Sequence, residues 1–169
     1  DQLGQLCQEI SALTGFERFL PMNSGAEAVE TAVKLARKWG QTVKGVPAAQ
    51  GEILVFDNNF HGRTTTIVGF SSSEQYREGF GPFAGGYRLL PFGDADAVAA
   101  AISERTVAVL VEPIQGEAGI VIPPEGFLRR LRDITQEHNA LLIADEIQSG
   151  LGRTGALFAF QHDRIRPDM

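Results

Sequence analysis

A chain of 169 residues, 43% hydrophobic and 21% charged, has the make-up of one ordinary globular domain and is long enough to bury a single core. Its formal net charge of -6 and pI near 5.1 offer no basic surface to nucleic acid, and no apolar run is long enough for a membrane-spanning helix. Cys7, the single cysteine, excludes an internal disulfide, fits a reducing compartment and reads as a small core residue rather than a nucleophile.

In chain order, "LGQLCQEISALTG" places Leu3, Leu6, Ile10 and Leu13 at close to helical spacing, and Gly15 is its stop. A longer helix is expected from Ser24-Gly25, carrying a stripe of Ala26, Ala28, Val29, Ala32, Val33, Leu35 and Ala36 and ending at Gly40. Four short, β-rich segments bounded by turn residues read as buried strands: 52–56, 87–92, 107–113 and 140–145. Between the later strands lie "DADAVAAAIS", capped by Asp94, and "GFLRRLRDITQEHN", with Leu128, Leu131 and Ile134 on one face. Near-continuous apolar strands separated by helices predict an α/β fold with a mainly parallel sheet covered on both faces. There is no internal repeat, no low-complexity tract and no linker dividing two domains.

Ligands of an open α/β sheet bind beyond the carboxyl ends of its strands, so the residues after each strand carry the chemistry. These are "DNNFHGRT" after the first strand, "EPIQGEAG" after the third and "DEIQSGLGRTG" after the fourth, joined by the "MNSGAEA" turn that opens the long helix. Asp145 ends a buried apolar run, where a carboxylate is partly desolvated and needs a cationic partner, from a ligand or an arginine, to stay ionised. A helix opened by glycine presents N–H groups and a dipole suited to phosphate, although the motif taken alone reads more readily as a Ser or Asn cap on a core helix. An anion cradle, an aromatic side chain in "NFHGR" and an Asp at a strand end are together what pyridoxal 5'-phosphate (PLP) requires.

The motifs "PMNSGAEAVETAVKLARKWG", "NNFHGRTTTIVGFSSS", "YREGFGPF", "VEPIQGEAGIVIPP" and "LLIADEIQSGLGRTG", in this order, resemble the class III aminotransferases among the fold type I PLP enzymes. Within that family, "KWGQTVKGV" and "EGFGPF" tilt the resemblance toward the ornithine aminotransferases, over the acetylornithine, 4-aminobutyrate and lysine branches. The resemblance implies a homodimeric enzyme that transfers the δ-amino group of ornithine to 2-oxoglutarate, with residues 1–169 forming part of the large PLP-binding domain. It assigns Ser24, Gly25 and Ala26 to the phosphate cradle, Phe60 to the face of the pyridine ring, Asp145 to the ring nitrogen and Gln148 to the phenolic oxygen. It assigns Arg63 to a substrate carboxylate, and Glu117 to an acid that pairs with a second arginine. The cytoplasm is the expected location, or the mitochondrial matrix in a eukaryote. Glu112 reads as structural, and His61 as a packed or solvent-facing residue rather than a general base.

The family's covalent lysine has no counterpart here. Lys34 and Lys38 sit one turn apart on the long helix, as on a solvated face, and Lys44 follows in the next turn. The chain opens at Asp1 and stops after "RIRPDM", so it is expected to be a piece of a longer protein that is inactive alone. Two rival readings are a Rossmann-like nucleotide module, whose glycine fingerprint "DNNFHGR" does not supply, and a non-catalytic α/β domain.

Overall fold

The computed structural model describes residues 2–169. Helix α1 (Gln2–Thr14) stops before Gly15, whose φ of 71° supplies the left-handed turn the sequence calls for. None of the α1 side chains is buried. Helix α2 (Gly25–Trp39) starts where expected: Ser24 is its N-cap and accepts the Glu27 N–H, while the Glu27 carboxylate accepts the N–H of Asn23, one residue before the cap, at 2.8 Å. Gly40 does not end the helical path. A π-turn carries it on through Gly40–Lys44 to Gly45, whose φ of 86° is the actual stop. Gly40 is needed for a different reason: a Cβ there would run into Val107, so its bareness lets α2 lie close on the sheet.

Strands β1 (Glu52–Phe56), β2 (Tyr87–Leu90), β3 (Thr106–Val111) and β4 (Leu141–Ala144) form one parallel sheet in the order β2-β1-β3-β4. Three of them are shorter than the sequence suggests, because ladder pairing ends before Pro91, Pro113 and Asp145. Between β1 and β2 lie two short helices that were not foreseen, α3 (Thr65–Gly69) and α4 (Glu74–Arg77). Each is too short to show a helical apolar period; α3 is recognisable only by its Thr64 cap, which accepts the Ile67 N–H. Helix α5 (Ala95–Ala101) is capped by Asp94 as expected, through the Ala97 N–H at 2.8 Å. Helix α6 (Phe127–Glu137) buries Leu128, Leu131 and Ile134, and a 3-10 turn follows over Ala159–Asp163.

Alternate strand residues feed two cores. Leu54, Phe56, Val109 and Val111 pack under α5 and α6, while Ile53, Val55, Ala108 and Leu110 pack under α2 and α3. The sheet is therefore covered on both faces along β1 and β3, whereas β2, expected to be buried, is an edge strand that leaves Arg88 and Leu89 exposed. After β1 the chain turns to the α3 face and toward β2; after β3 it turns to the α6 face and toward β4. These opposite departures open a crevice between the carboxyl ends of β1 and β3, the topological switch point where α/β sheets take their ligands.

Candidate active site

Four segments meet at that crevice. The loop after β1 carries Phe60, His61 and Arg63, and close packing ties it to the start of α2: a Cβ on Gly62 would lie 2.8 Å from Ala26 Cβ. The loop after β4 reaches the same helix start, since a Cβ on Gly25 would lie 2.9 Å from Ile147 Cγ2. The turn after β3 meets the β4 loop through Gly116, where an added Cβ would overlap the Gln148 amide. Close approaches of this kind require bare backbone, which explains the glycines in "NSGAEA", "FHGR" and "IQGE".

Asp145 stands one residue beyond β4, and its N–H donates to Val111 O at 2.8 Å, a final rung that aims the side chain into the crevice. Its Oδ2 lies 2.6 Å from His61 Nδ1, with the two side chains 5% and 1% exposed. An ionised carboxylate only accepts, so the contact assigns the imidazole proton to Nδ1. Asp145 Oδ1 accepts the Ile147 N–H at 3.1 Å. Each oxygen keeps a further lone pair for a ligand.

Glu112, the residue after β3, is buried, and its Oε2 accepts the Phe60 N–H at 3.1 Å. Burial pushes its carboxyl up to about 7; His61 and the Phe60 hydrogen bond act against that rise, while Asp145 and Glu117 add to it. Gln115 is fully buried and donates to Asp57 O at 2.8 Å, holding the β1 loop to the β3 turn. Glu146, next to Asp145, does not face the crevice chemistry. It accepts from Ser149 Oγ at 2.6 Å and from the Phe160 N–H at 2.8 Å, which organises the following loop.

The half-buried ring of Phe60 meets the Tyr76 ring edge-on at 6.3 Å, and the Arg63 guanidinium lies 5.6 Å from its centroid. Arg63, Glu117 and Gln148 are exposed, and Gln148 Nε2 donates to Glu117 Oε1 at 3.2 Å. Ser24 accepts the Glu27 N–H, which leaves its own hydroxyl proton to donate outward. Gly25 and Ala26 lie in the first helical turn, where N–H groups have no intrahelical partner. Ser24, Gly25 and Ala26 at the start of α2, and Phe60, Arg63, Glu117, Asp145 and Gln148 on the loops after β1, β3 and β4, thus border one crevice.

The whole chain, residues 1–169, matches the family described as Aminotransferase class-III. The chain belongs to that family. An ornithine aminotransferase of Brevibacillus brevis is 54% identical over all 169 residues, and the chain spans 42% of that relative's length. Among solved structures, an ornithine aminotransferase from Toxoplasma gondii, crystallised with partial occupancy of PLP at its active site, superposes with a TM-score of 0.96 at 42% identity, over 98% of this chain and 39% of that one. An acetylornithine aminotransferase from Elizabethkingia anophelis gives a TM-score of 0.82 at 50% identity, over 98% of this chain and 40% of that one. The chain therefore corresponds to about two fifths of these class III relatives.

Three features of the site escaped sequence reasoning. His61 is buried, as a packed histidine would be, but its partner is Asp145, 84 residues away. Glu112 is structural in a specific sense, since it holds the main chain of Phe60. Tyr76 supports the Phe60 ring from α4. Only the first had a local signal, its place beside the expected ring-stacking residue; the others depend on how the loops fold back.

Proposed function

We propose that the protein carrying this chain is a PLP-dependent aminotransferase that moves the δ-amino group of ornithine to 2-oxoglutarate, yielding glutamate semialdehyde and glutamate. The observation that carries the reading is the buried Asp145 at the β4 end, beside Phe60 and the open start of α2, in a chain of the class III family. The donor set fits the cofactor. Gly25 and Ala26 would offer backbone N–H groups, and Ser24 its hydroxyl, to the phosphate; Phe60 would lie against the ring and Gln148 would reach its phenolic oxygen. Bound PLP supplies an electron sink for the substrate carbon.

The chain's own residues prepare that chemistry. Asp145, held by His61 and the Ile147 N–H, keeps a negative charge at the base of the crevice, where it would hold a proton on the ring nitrogen. Arg63 presents a planar fork of donors beside Phe60, suited to a substrate carboxylate. Glu117 is placed at the crevice mouth, held by Gln148, as an acid able to neutralise an arginine. The homodimer belongs to the same reading; Ile120, Ile122 and Leu151, between 70% and 76% exposed in the loops after β3 and β4, are apolar surface that a partner subunit would cover.

N-acetylornithine as amino donor is the second reading, favoured by the 50% identity to the Elizabethkingia anophelis enzyme. Ornithine is preferred because the higher structural similarity, a TM-score of 0.96, is to an ornithine aminotransferase. The deciding experiment measures kcat/KM for both donors with 2-oxoglutarate, in a full-length protein that carries this sequence. The expected preference for ornithine is about tenfold or more, since rejecting an acetylated amine costs a buried polar contact. A preference for N-acetylornithine would replace the first reading by the second, and no transamination with either would defeat both.

A further inference from the structure

We propose that Glu112 is a positioning residue: by accepting the Phe60 main-chain N–H, it fixes the depth at which the Phe60 ring faces the cofactor space beside Asp145. The inference rests on the PLP reading above and adds a residue to it.

The segment after β1 has no regular structure, so each of its residues needs its own anchor. Asn58 N–H donates to Ser72 Oγ at 2.7 Å, and the Asn59 side chain donates to Phe56 O at 2.6 Å and Phe70 O at 3.1 Å. Those anchors tie the segment to its own neighbourhood. The next two residues are held from across the crevice instead, Phe60 by Glu112 at the end of β3 and His61 by Asp145 at the end of β4. Two acids from adjacent strand ends thus grip two successive residues. The grip on His61 bears on the ring nitrogen; the grip on Phe60 bears on the ring face, and it sets one against the other.

A purely structural filler at this buried position would more cheaply be apolar, because a desolvated carboxyl is costly to keep. Glu112 is 7% exposed and stays polar to serve one main-chain donor with a side-chain oxygen. The length of the side chain matters as much as its charge. Aspartate would withdraw that oxygen by about one carbon–carbon bond, roughly 1.5 Å, enough to break the contact.

The test compares E112Q, E112D and E112L in a full-length protein carrying this sequence. Glutamine keeps an acceptor at the same reach, aspartate keeps the charge at a shorter reach, and leucine keeps volume alone. In cofactor-free protein, Phe60 amide hydrogen exchange is expected to quicken about tenfold in E112D and E112L, the scale of one lost hydrogen bond, and to stay within about threefold in E112Q. On adding PLP, the visible circular dichroism of the bound ring is expected to weaken or change shape in E112D and E112L and to be kept in E112Q. A Phe60 amide still protected in E112D, which keeps the charge and leaves the fold least disturbed, would overturn the positioning role. Unchanged dichroism in E112D despite fast exchange would overturn its effect on the cofactor. Absence of dichroism in the unsubstituted protein would instead overturn the PLP reading on which the inference stands.

Discussion

His61 Nδ1 and Asp145 Oδ2 face each other at 2.6 Å across the crevice, from loops that follow β1 and β4. The pair has two consequences for Asp145. It keeps a desolvated carboxylate from standing alone, and it fixes the direction of the free lone pairs. Replacing Asp145 with Ala removes the charge aimed at the ring nitrogen, so turnover in a full-length protein is expected to fall on the order of a hundredfold or more, with a smaller change in PLP affinity. His61→Ala removes only the support. Its expected loss is about tenfold in kcat, near the worth of one hydrogen bond. Steady-state kinetics of both variants check the order, and equal losses would mean that the imidazole acts directly.

Ser24 joins stability to ligand affinity, and Gly25 separates them. Ser24→Ala deletes both the cap on α2 and the hydroxyl proposed for the phosphate, so it is expected to cost about 1 kcal/mol, read as a lower melting temperature, together with a loss of PLP affinity. Gly25→Val places its side chain against Ile147, which is 65% exposed and able to yield. The expected result is a fold of near-normal melting temperature with weakened PLP binding, because the Ile147 loop moves away from the helix start. Calorimetric titration with PLP, paired with thermal melts, distinguishes the two variants.

Glu112 brings a pH dependence whose sign follows from its buried position. Its carboxyl rises from the usual 4.5 to about 7 in the folded protein. Between those values the folded state holds more proton than the unfolded one, so the contribution of Glu112 to stability falls as pH rises and levels off above about 7. The charges facing it are His61, which opposes the rise, and Asp145 and Glu117, which add to it. E112Q does not titrate and lacks this loss. Urea unfolding is expected to show the Gln variant gaining on the parent between pH 5 and pH 8, by at most about 3 kcal/mol. A constant difference across that range would contradict the origin of the shift.

The lysines yield a prediction about the 169-residue chain itself. Lys34 and Lys38 are exposed on α2. Lys44 Nζ donates to Thr106 O at 2.6 Å and His138 O at 2.9 Å, at the amino ends of β3 and β4, so it sits at the edge of the sheet opposite the crevice. Burial pushes its ammonium below the usual lysine range, against the pull of Glu104, yet the two carbonyls hold it in place. The isolated chain is therefore expected to show no glutamate formation from ornithine and 2-oxoglutarate, and no stoichiometric borohydride-stable PLP adduct by peptide mapping. An adduct on Lys34, Lys38 or Lys44 at full stoichiometry would contradict this.

The parts of the fold that repeat a period were legible in the sequence. Ile53 to Phe56 and Val107 to Val111 are apolar at every position because both faces of β1 and β3 are covered, and Leu128, Leu131 and Ile134 mark the buried stripe of α6. The strand ends were less legible, since Leu90 and Pro91 differ in ladder pairing but not in polarity. Helix α3 has five residues, less than two turns, and could not announce itself by spacing. At the site, Asp145, Phe60 and the Ser24 turn could be picked out by residue type and place. Their partners could not. His61 and Glu112 act through residues 84 and 52 positions away, and such pairings are set by the strand order β2-β1-β3-β4 rather than by any local pattern.

Helix α2 is held at both ends, by Gly40 against Val107 of β3 at one and by Gly25 against Ile147 of the loop after β4 at the other. With 15 residues it is about 22 Å long, so it behaves as a rigid lever with its fulcrum at a bare glycine. Any side chain at Gly40 would lift that end from β3 and tip the opposite end, where the phosphate is proposed to dock. A substitution at Gly40 would pass for a remote packing defect, yet its expected first effect is weaker retention of the proposed cofactor, offset by a higher cofactor concentration.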